Sequence, residues 1–326
     1  MSEAYRIIFR RPGGPEVMEV EPIDIPRPAE GEVLIRHEAI GLNYIDTYHR
    51  TGLYPLPLPA TPGTEGAGVV ENVGAGVSGL QAGDRVAYVS RTVGAYATHR
   101  TIAVSALVKL PDGIAADQAA AAMLKGCTAE MLVERCGEIA KGDTVLVHAA
   151  AGGVGSILVQ WLKAIGATVF AHAGSPAKAE RARTLGADHA LSCAMDELAE
   201  AVRGATGGRG VDVVLDGIGA ASWATSLASV ARRGLIVSYG NASGPVPPVR
   251  LPDLAAAGSV FLTRPTLFDY VATRAELEHS ASRLFGVMLG GAVTIDIGAR
   301  YGLREAAAAH RALEARETTG STILVP

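Results

Sequence analysis

His148-Ala149-Ala150-Ala151-Gly152-Gly153-Val154-Gly155 decides the fold. The run before it, Thr144-Val145-Leu146-Val147-His148, is almost wholly apolar and reads as a buried strand. Residues 154–165, after it, read as a helix. Strand, tight turn and helix together open a parallel α/β sheet. Set against G-x-G-x-x-G, the three glycine positions fall on Ala150, Gly152 and Gly155. A small first residue permits the turn out of the strand. Gly152 lets the backbone approach a pyrophosphate, and Gly155 lets helix and strand pack closely. The free N–H groups at the helix start and the positive end of its dipole then face the phosphates. The plain alternative is a turn in any βα unit. The clear strand and helix on either side favour a dinucleotide site.

Outward from this turn, strands and helices alternate. Residues 168–172, 211–216 and 234–239 read as strands, with helices expected over 176–185 and 221–230. Uniformly apolar strands spaced by helices predict a doubly wound parallel sheet. Before it, residues 117–136 read as a helix with Asp117 in a cap-like position. The first hundred residues differ. Short strands at 5–9, 32–38, 69–74 and 84–89, punctuated by Gly and Pro, predict a small β-rich domain. Residues 54–62 hold Pro55, Pro57, Pro59 and Pro62 and are expected to form an ordered loop. Beyond 265 come a helix over 274–289 and a last strand over 321–325. The nearly uncharged window 145–162 is long enough to span a membrane, but its central glycines split it into strand and helix.

Composition narrows the classes. The chain has 326 residues, enough for about two domains, and a net charge of −4 without a basic tract. Nucleic acid and an anionic membrane are therefore poor partners. Cys127, Cys136 and Cys193 form neither a disulfide framework nor a CxxC pair, so reduced thiols in a cytoplasmic protein are expected. Cys127 adjoins Thr128 and reads as a packed core cysteine or a reactive thiol. The start of the chain lacks an export pattern.

The second parallel strand selects the cofactor. An NAD site ends that strand with Asp or Glu for the ribose hydroxyls. Here it ends His172-Ala173-Gly174-Ser175, with Lys178 next. Lys178 is suited to a 2′-phosphate, although a solvated helix lysine reads the same way. The missing acid makes NADPH the expected cofactor.

These residues resemble a known family. Residues 147–155 are similar to the AxxGxxG turn of medium-chain dehydrogenases/reductases, as is Gly63-Thr64-Glu65-Gly66-Ala67-Gly68. Residues 41–48, 52–55, 238–244, 262–265 and 314–320 resemble its quinone oxidoreductase (zeta-crystallin-like) branch. The resemblance implies a GroES-like substrate domain from 1–124 and 266–326, around a Rossmann NADPH domain at 125–265. It implies cofactor contacts from Asn43, Tyr48, Lys125, Thr128, Gly153, Val154, Ser175, Lys178, Gly240, Asn241, Ser243, Phe261, Thr263 and Arg316. Lys178 and Arg316 would meet the adenosine phosphate. Cys193 stands where relatives place a tyrosine near the adenine, which removes a hydroxyl and a stacking face. It also implies homodimers through the edge strands of the cofactor domains, for which residues 259–263 are suited.

Zinc alcohol dehydrogenases of the superfamily place Cys at position 43 and His at position 64. Asn43 and Thr64 are poor zinc ligands, and no metal is expected. Without a Lewis acid the acceptor must itself stabilise charge, as a quinone does. Asn43, Tyr48 and Tyr54, with Arg264 nearby, are the expected acceptor-side residues. A Tyr hydroxyl there serves the developing oxyanion or relays a proton. The expected activity is NADPH-dependent quinone reduction. An enal or enone reductase and a non-catalytic NADPH-binding sensor are the alternatives.

Overall fold

Two sheets, one mostly antiparallel and one parallel, carry the cores of this protein. The computed structural model describes residues 4–326; residues 1–3 of the expected first segment lie outside the described residues. In chain order come β1 (Tyr5–Ile8), β2 (Glu19–Pro22), β3 (Glu32–Leu42), α1 (Tyr44–Thr51), β4 (Glu65–Val73), β5 (Arg85–Val89), β6 (His99–Ala103), β7 (Leu107–Lys109) and α2 (Ala116–Glu130). Next are β8 (Thr144–Val147), α3 (Gly153–Ile165), β9 (Thr168–His172), α4 (Pro176–Thr184), β10 (His189–Leu191), α5 (Leu198–Ala205) and β11 (Val211–Asp216). Then follow α6 (Trp223–Ser229), β12 (Val230–Ser238), α7 (Leu251–Ala256), β13 (Phe261–Thr263) and α8 (Leu267–Tyr270). The chain ends with α9 (Arg274–Leu289), β14 (Ile297–Gly302), α10 (Ala306–Glu314) and β15 (Ser321–Val325).

Two units result. One is Met1–Cys127 with Val271–Leu289 and Ile295–Pro326; the other is Thr128–Tyr270 with Gly290–Thr294.

In the first unit the sheet order is β14-β15-β3-β4-β5-β7, with β6 also on β3. All its pairings are antiparallel except β14 with β15. Along β3, Val33 and Ile35 point into a core shared with Val86, Tyr88, Leu107 and Leu324, while Arg36 and Glu38 face out. Period-two alternation, the mark of a sheet with one wet face, holds from Ile35 to Ala39, while 33–35 and 39–42 are buried throughout.

In the second unit all six strands are parallel, in the order β10-β9-β8-β11-β12-β13. The chain starts at central β8, winds outward to β10, then returns to β11 and winds the other way. The reversal between β8 and β11 opens a crevice at the carboxyl ends of the strands, where doubly wound sheets bind ligands. Leu146, Phe170, Val214 and Ile236 pack against Leu198 and Val202 of α5. β13 is an edge, and its Phe261 is 62% exposed.

The helix expected over 117–136 changes character. α2 begins at Ala116, so Asp117 lies in its first turn. Gln118 accepts the Ala115 amide at 3.3 Å in place of an aspartate cap. Residues Met131–Cys136 wind as a π-helical turn, with Gly137 N donating to Leu132 O at 3.0 Å. The uncharged window 145–162 is divided by the glycine turn, and among the described residues no helix is long and apolar enough to cross a membrane.

β8 and β11 are tied at their amino ends by Asp212. Its carboxylate accepts the Thr144 amide at 2.9 Å and hydroxyl at 2.8 Å, and pairs with Arg209. The Arg209 hydrogen bond is the main reason that the carboxyl is pushed down to about 2. A depressed folded-state pKa stabilises above the ordinary aspartate range and stops doing so as pH falls toward the folded value. Asp212→Asn is expected to lower the urea midpoint at pH 7. The gap from the parent protein should narrow as pH drops from about 4 toward about 2; a gap independent of pH would contradict this account.

Candidate functional site

The parallel unit builds its site from the turn after β8. Ala149 takes the left-handed conformation, with φ at 51°. The tight turn therefore sits one residue before the expected Ala150, whose amide instead donates to His172 O at 3.0 Å. Gly152 is the N-cap of α3 and carries no side-chain cap. The first amides of a helix have no acceptor within it, so those of Gly153, Val154 and Gly155 are available to an anion. A Cβ on Gly155 would lie 2.3 Å from Ala149 O, and one on Gly152 would lie 3.2 Å from the same oxygen. The cradle exists because these side chains do not.

β9 ends at buried His172. Ser175 caps α4, its hydroxyl accepting the Lys178 amide at 3.3 Å. Gly174 is exposed, with open space around the place of a Cβ. No carboxylate stands between Ala173 and Lys178. His172 Nε2 donates to Cys193 O at 3.0 Å, which brings Cys193 to the end of β9. Burial pushes the Cys193 thiol up.

Below the turn lies a polar chain that sequence reading missed. Asp216, at the end of β11, accepts the Ile218 amide at 2.8 Å and the hydroxyls of Ser222 and Ser226, the latter at 2.6 Å. Ser226 in turn accepts from His148 Nε2 at 3.0 Å. Burial pushes His148 down to about 4, so it is neutral and its tautomer is set by Ser226. A strand-ending Asp with serines 6 and 10 residues on was the available signal. The loop after β12 is stitched to this one. Ser243 Oγ donates to Ile218 O and accepts the Ala221 amide, both at 2.9 Å. A Cβ on Gly240 would lie 2.3 Å from Gly217 O. Asn241 lies between them, half-buried. On β13, Thr263 is half-buried; Arg264 follows, exposed, with Nη1 donating to Pro265 O at 3.1 Å. Thr128 is half-buried in α2.

The antiparallel unit gathers Asn43, Tyr48 and Tyr54. Asn43 caps α1, and its Nδ2 donates to Glu65 Oε1 at 2.7 Å. The rings of Tyr48 and Tyr54 meet edge to face at 5.3 Å, held by a bond from Tyr54 N to Tyr48 O at 3.1 Å. Asp46 accepts the Asn43 amide at 2.9 Å and the Tyr96 hydroxyl at 3.1 Å. Burial pushes its carboxyl up to about 7. His310 Nε2 donates to Tyr96 Oη at 3.0 Å, and burial pushes His310 down to about 3. Buried Arg50 pairs with Glu314. Arg316, exposed and left-handed at φ 60°, follows two residues later. Arg264 and Lys178 belong to the parallel unit; Arg316 and the tyrosines belong to this one.

The donors at positions 43 and 64 do not suit zinc. The Asn43 carboxamide is committed to Glu65, and Thr64 offers a buried hydroxyl. Among the described residues no three His, Cys, Asp or Glu side chains gather as a metal-binding group.

Comparison with known proteins matches both units. Residues 29–112 match the alcohol dehydrogenase GroES-like domain, and residues 153–280 match the family described as zinc-binding dehydrogenase. Over 99% of its length the chain is 48% identical to a quinone oxidoreductase of Pseudomonas aeruginosa, covering all of that protein. It is similar to the crystal structure of Escherichia coli quinone oxidoreductase complexed with NADPH, at 43% identity and TM-score 0.96, over 99% of this chain and 100% of that one. It is also 40% identical to a 2-haloacrylate reductase of a Burkholderia species, over 98% of each chain.

The cradle can be tested by filling it. Gly155→Ala is expected to cost about 1–3 kcal/mol in urea unfolding. Gly174→Ala, where a methyl meets open space, should change stability by no more than about 0.5 kcal/mol. Equal losses for the two would remove the argument from close approach.

Proposed function

The chain belongs to the quinone oxidoreductase branch of the medium-chain dehydrogenase/reductase superfamily, and from that premise we propose that it transfers a hydride from NADPH to a quinone. The observation that carries this reading is the uncapped, glycine-lined start of α3 beside a β9 that ends without a carboxylate.

The residues fit the cofactor. The amides at Gly153, Val154 and Gly155 suit the pyrophosphate. Ser175 and Lys178, with Arg316, suit an adenosine 2′-phosphate, since a cation and a hydroxyl replace the acid that would repel it. Gly174 leaves room beside them, and Cys193 borders the adenine. Asn43, Tyr48, Lys125, Thr128, Gly240, Asn241, Ser243, Phe261 and Thr263 complete the proposed contacts. When bound, NADPH supplies the hydride; the protein's part is alignment and the exclusion of water.

On the acceptor side, Tyr48 and Tyr54 are the proposed donors. A quinone oxygen gains charge as the hydride arrives, and a phenol Oη aimed at it stabilises that charge or delivers the proton. Edge-to-face packing restricts both rings before substrate enters. Asn43 and Arg264 are assigned to orienting the acceptor. No metal has a role here, because the residues at positions 43 and 64 are not zinc donors.

A second reading, reduction of conjugated carbonyls, is favoured by the identity to a 2-haloacrylate reductase. A homodimer through β13 is supported by the exposure of Phe261 at that edge. A cytoplasmic location is supported by the number and spacing of Cys127, Cys136 and Cys193, which suit reduced thiols.

Nicotinamide fluorescence titrations with NADPH and NADH, followed by addition of 1,4-benzoquinone, 9,10-phenanthrenequinone or a short enone, test the reaction. NADPH should bind more tightly than NADH, and Lys178→Ala should lose about tenfold or more of that preference. Tyr48→Phe and Tyr54→Phe should lower kcat/KM for the quinones by about 10²-fold or more. Turnover of the enone alone would favour the second reading. For the dimer, Phe261→Asp should shift sedimentation from dimer to monomer mass; a wild-type protein that sediments as a monomer would end that proposal.

A further inference from the structure

Glu65 opens β4, is 0% exposed, and has no part in the reaction proposed above. Its Oε1 accepts from Asn43 Nδ2 at 2.7 Å and from Lys125 Nζ at 3.0 Å. Its Oε2 accepts the Leu124 amide, within α2, at 2.6 Å. Asn43 and Lys125 are themselves only 6% and 5% exposed. All three partners are donors, as a carboxylate demands. One oxygen thus holds two side chains assigned to the cofactor, and the other pins the backbone beside one of them.

This arrangement has chemical content. A carboxylate can only accept, so Asn43 must turn its NH₂ toward Glu65, and Oδ1 becomes the atom it offers a ligand. Lys125 gives one of its three N–H donors to Glu65 and keeps the rest. An acceptor and a donor fixed on the same carboxylate match a hydroxyl, which donates to one and accepts from the other. The fold makes room for this: a Cβ on Gly41 would lie 2.1 Å from Glu65 Oε1 and 2.3 Å from Ala120 O. A buried ion pair is a poor device for stability alone, because apolar packing serves as well without the desolvation cost.

The structure assigns Glu65 as a positioning residue that presents Asn43 Oδ1 and Lys125 Nζ together to a sugar hydroxyl in the nicotinamide half of NADPH. This rests on the cofactor reading above. The adenosine half is assigned to Lys178 and Arg316, so the two halves can be probed apart.

Glu65→Gln keeps the volume and puts an amide where donors already converge. In the full-length protein, NADPH affinity by nicotinamide fluorescence should fall about tenfold or more. Affinity for adenosine 2′,5′-bisphosphate, which lacks the nicotinamide half, should stay within about twofold of the parent's. A lower Tm with both affinities unchanged would mark Glu65 as merely structural and overturn the assignment, as would equal weakening of both ligands. Failure of the parent protein to bind NADPH would instead sink the cofactor reading, and this assignment with it. Should Glu65→Gln not fold, Asn43→Ala and Lys125→Met, singly and together, give the answer. Held by one oxygen, they should be coupled, the double variant losing less NADPH affinity than the product of the single losses; a simple product would overturn the assignment.

Discussion

A helix must begin where β8 ends, near enough for its first amides to face what lies beyond the sheet. That single constraint organises the parallel unit. It forces a left-handed Ala149, a residue without Cβ at 155, and a helix start with no side chain to spend its donors. The rest follows from the need to hold that start still. Asp216 collects the hydroxyls and amides beneath it, and His148 is locked neutral on Ser226. Buried hydrogen bonds of this kind add rigidity that apolar packing lacks. Strand order adds position, since the reversal between β8 and β11 leaves the crevice over this turn.

The antiparallel unit solves a different problem. The side chains proposed to act sit on a short helix and a strand start, where packing alone orients little. Charge does the orienting instead. Asp46 grips the start of α1, Arg50 ties its end to Glu314, and Glu65 reaches across to α2. The Asp46 carboxyl, raised by burial to about 7, spares the unit a second full negative charge beside Glu65.

Much of this was readable from residues close together in the chain. β9, β11, α9 and β15 fall on the expected bounds, because their periodicity or apolar run is carried entirely by neighbours in sequence. The glycine turn was legible for the same reason. What escaped depends on distant partners. Asp117 looked like a cap until Gln118 took the role, and the π-helical turn at Met131–Cys136 has no local signature. β14 and α10 are stabilised by packing against elements from the other end of the chain, as Tyr301, Ala306 and Ala309 pack with the core of Val33 and Ile35. Glu65 meets Asn43 across 22 residues and Lys125 across 60, so only the fold reveals what it does.

The bond from Asn43 to Glu65 also limits what position 43 can become. A cysteine there would bring a thiolate for a metal, but it would take a donor away from a buried oxygen. Lys125 would still hold that oxygen, so the loss is one hydrogen bond to a charged group, about 1.5–3 kcal/mol. Thr64 would still be no imidazole, so the first substitution would bring the loss without the metal. The position resists piecemeal change: a single step toward a metal site loses a buried hydrogen bond and gains no metal.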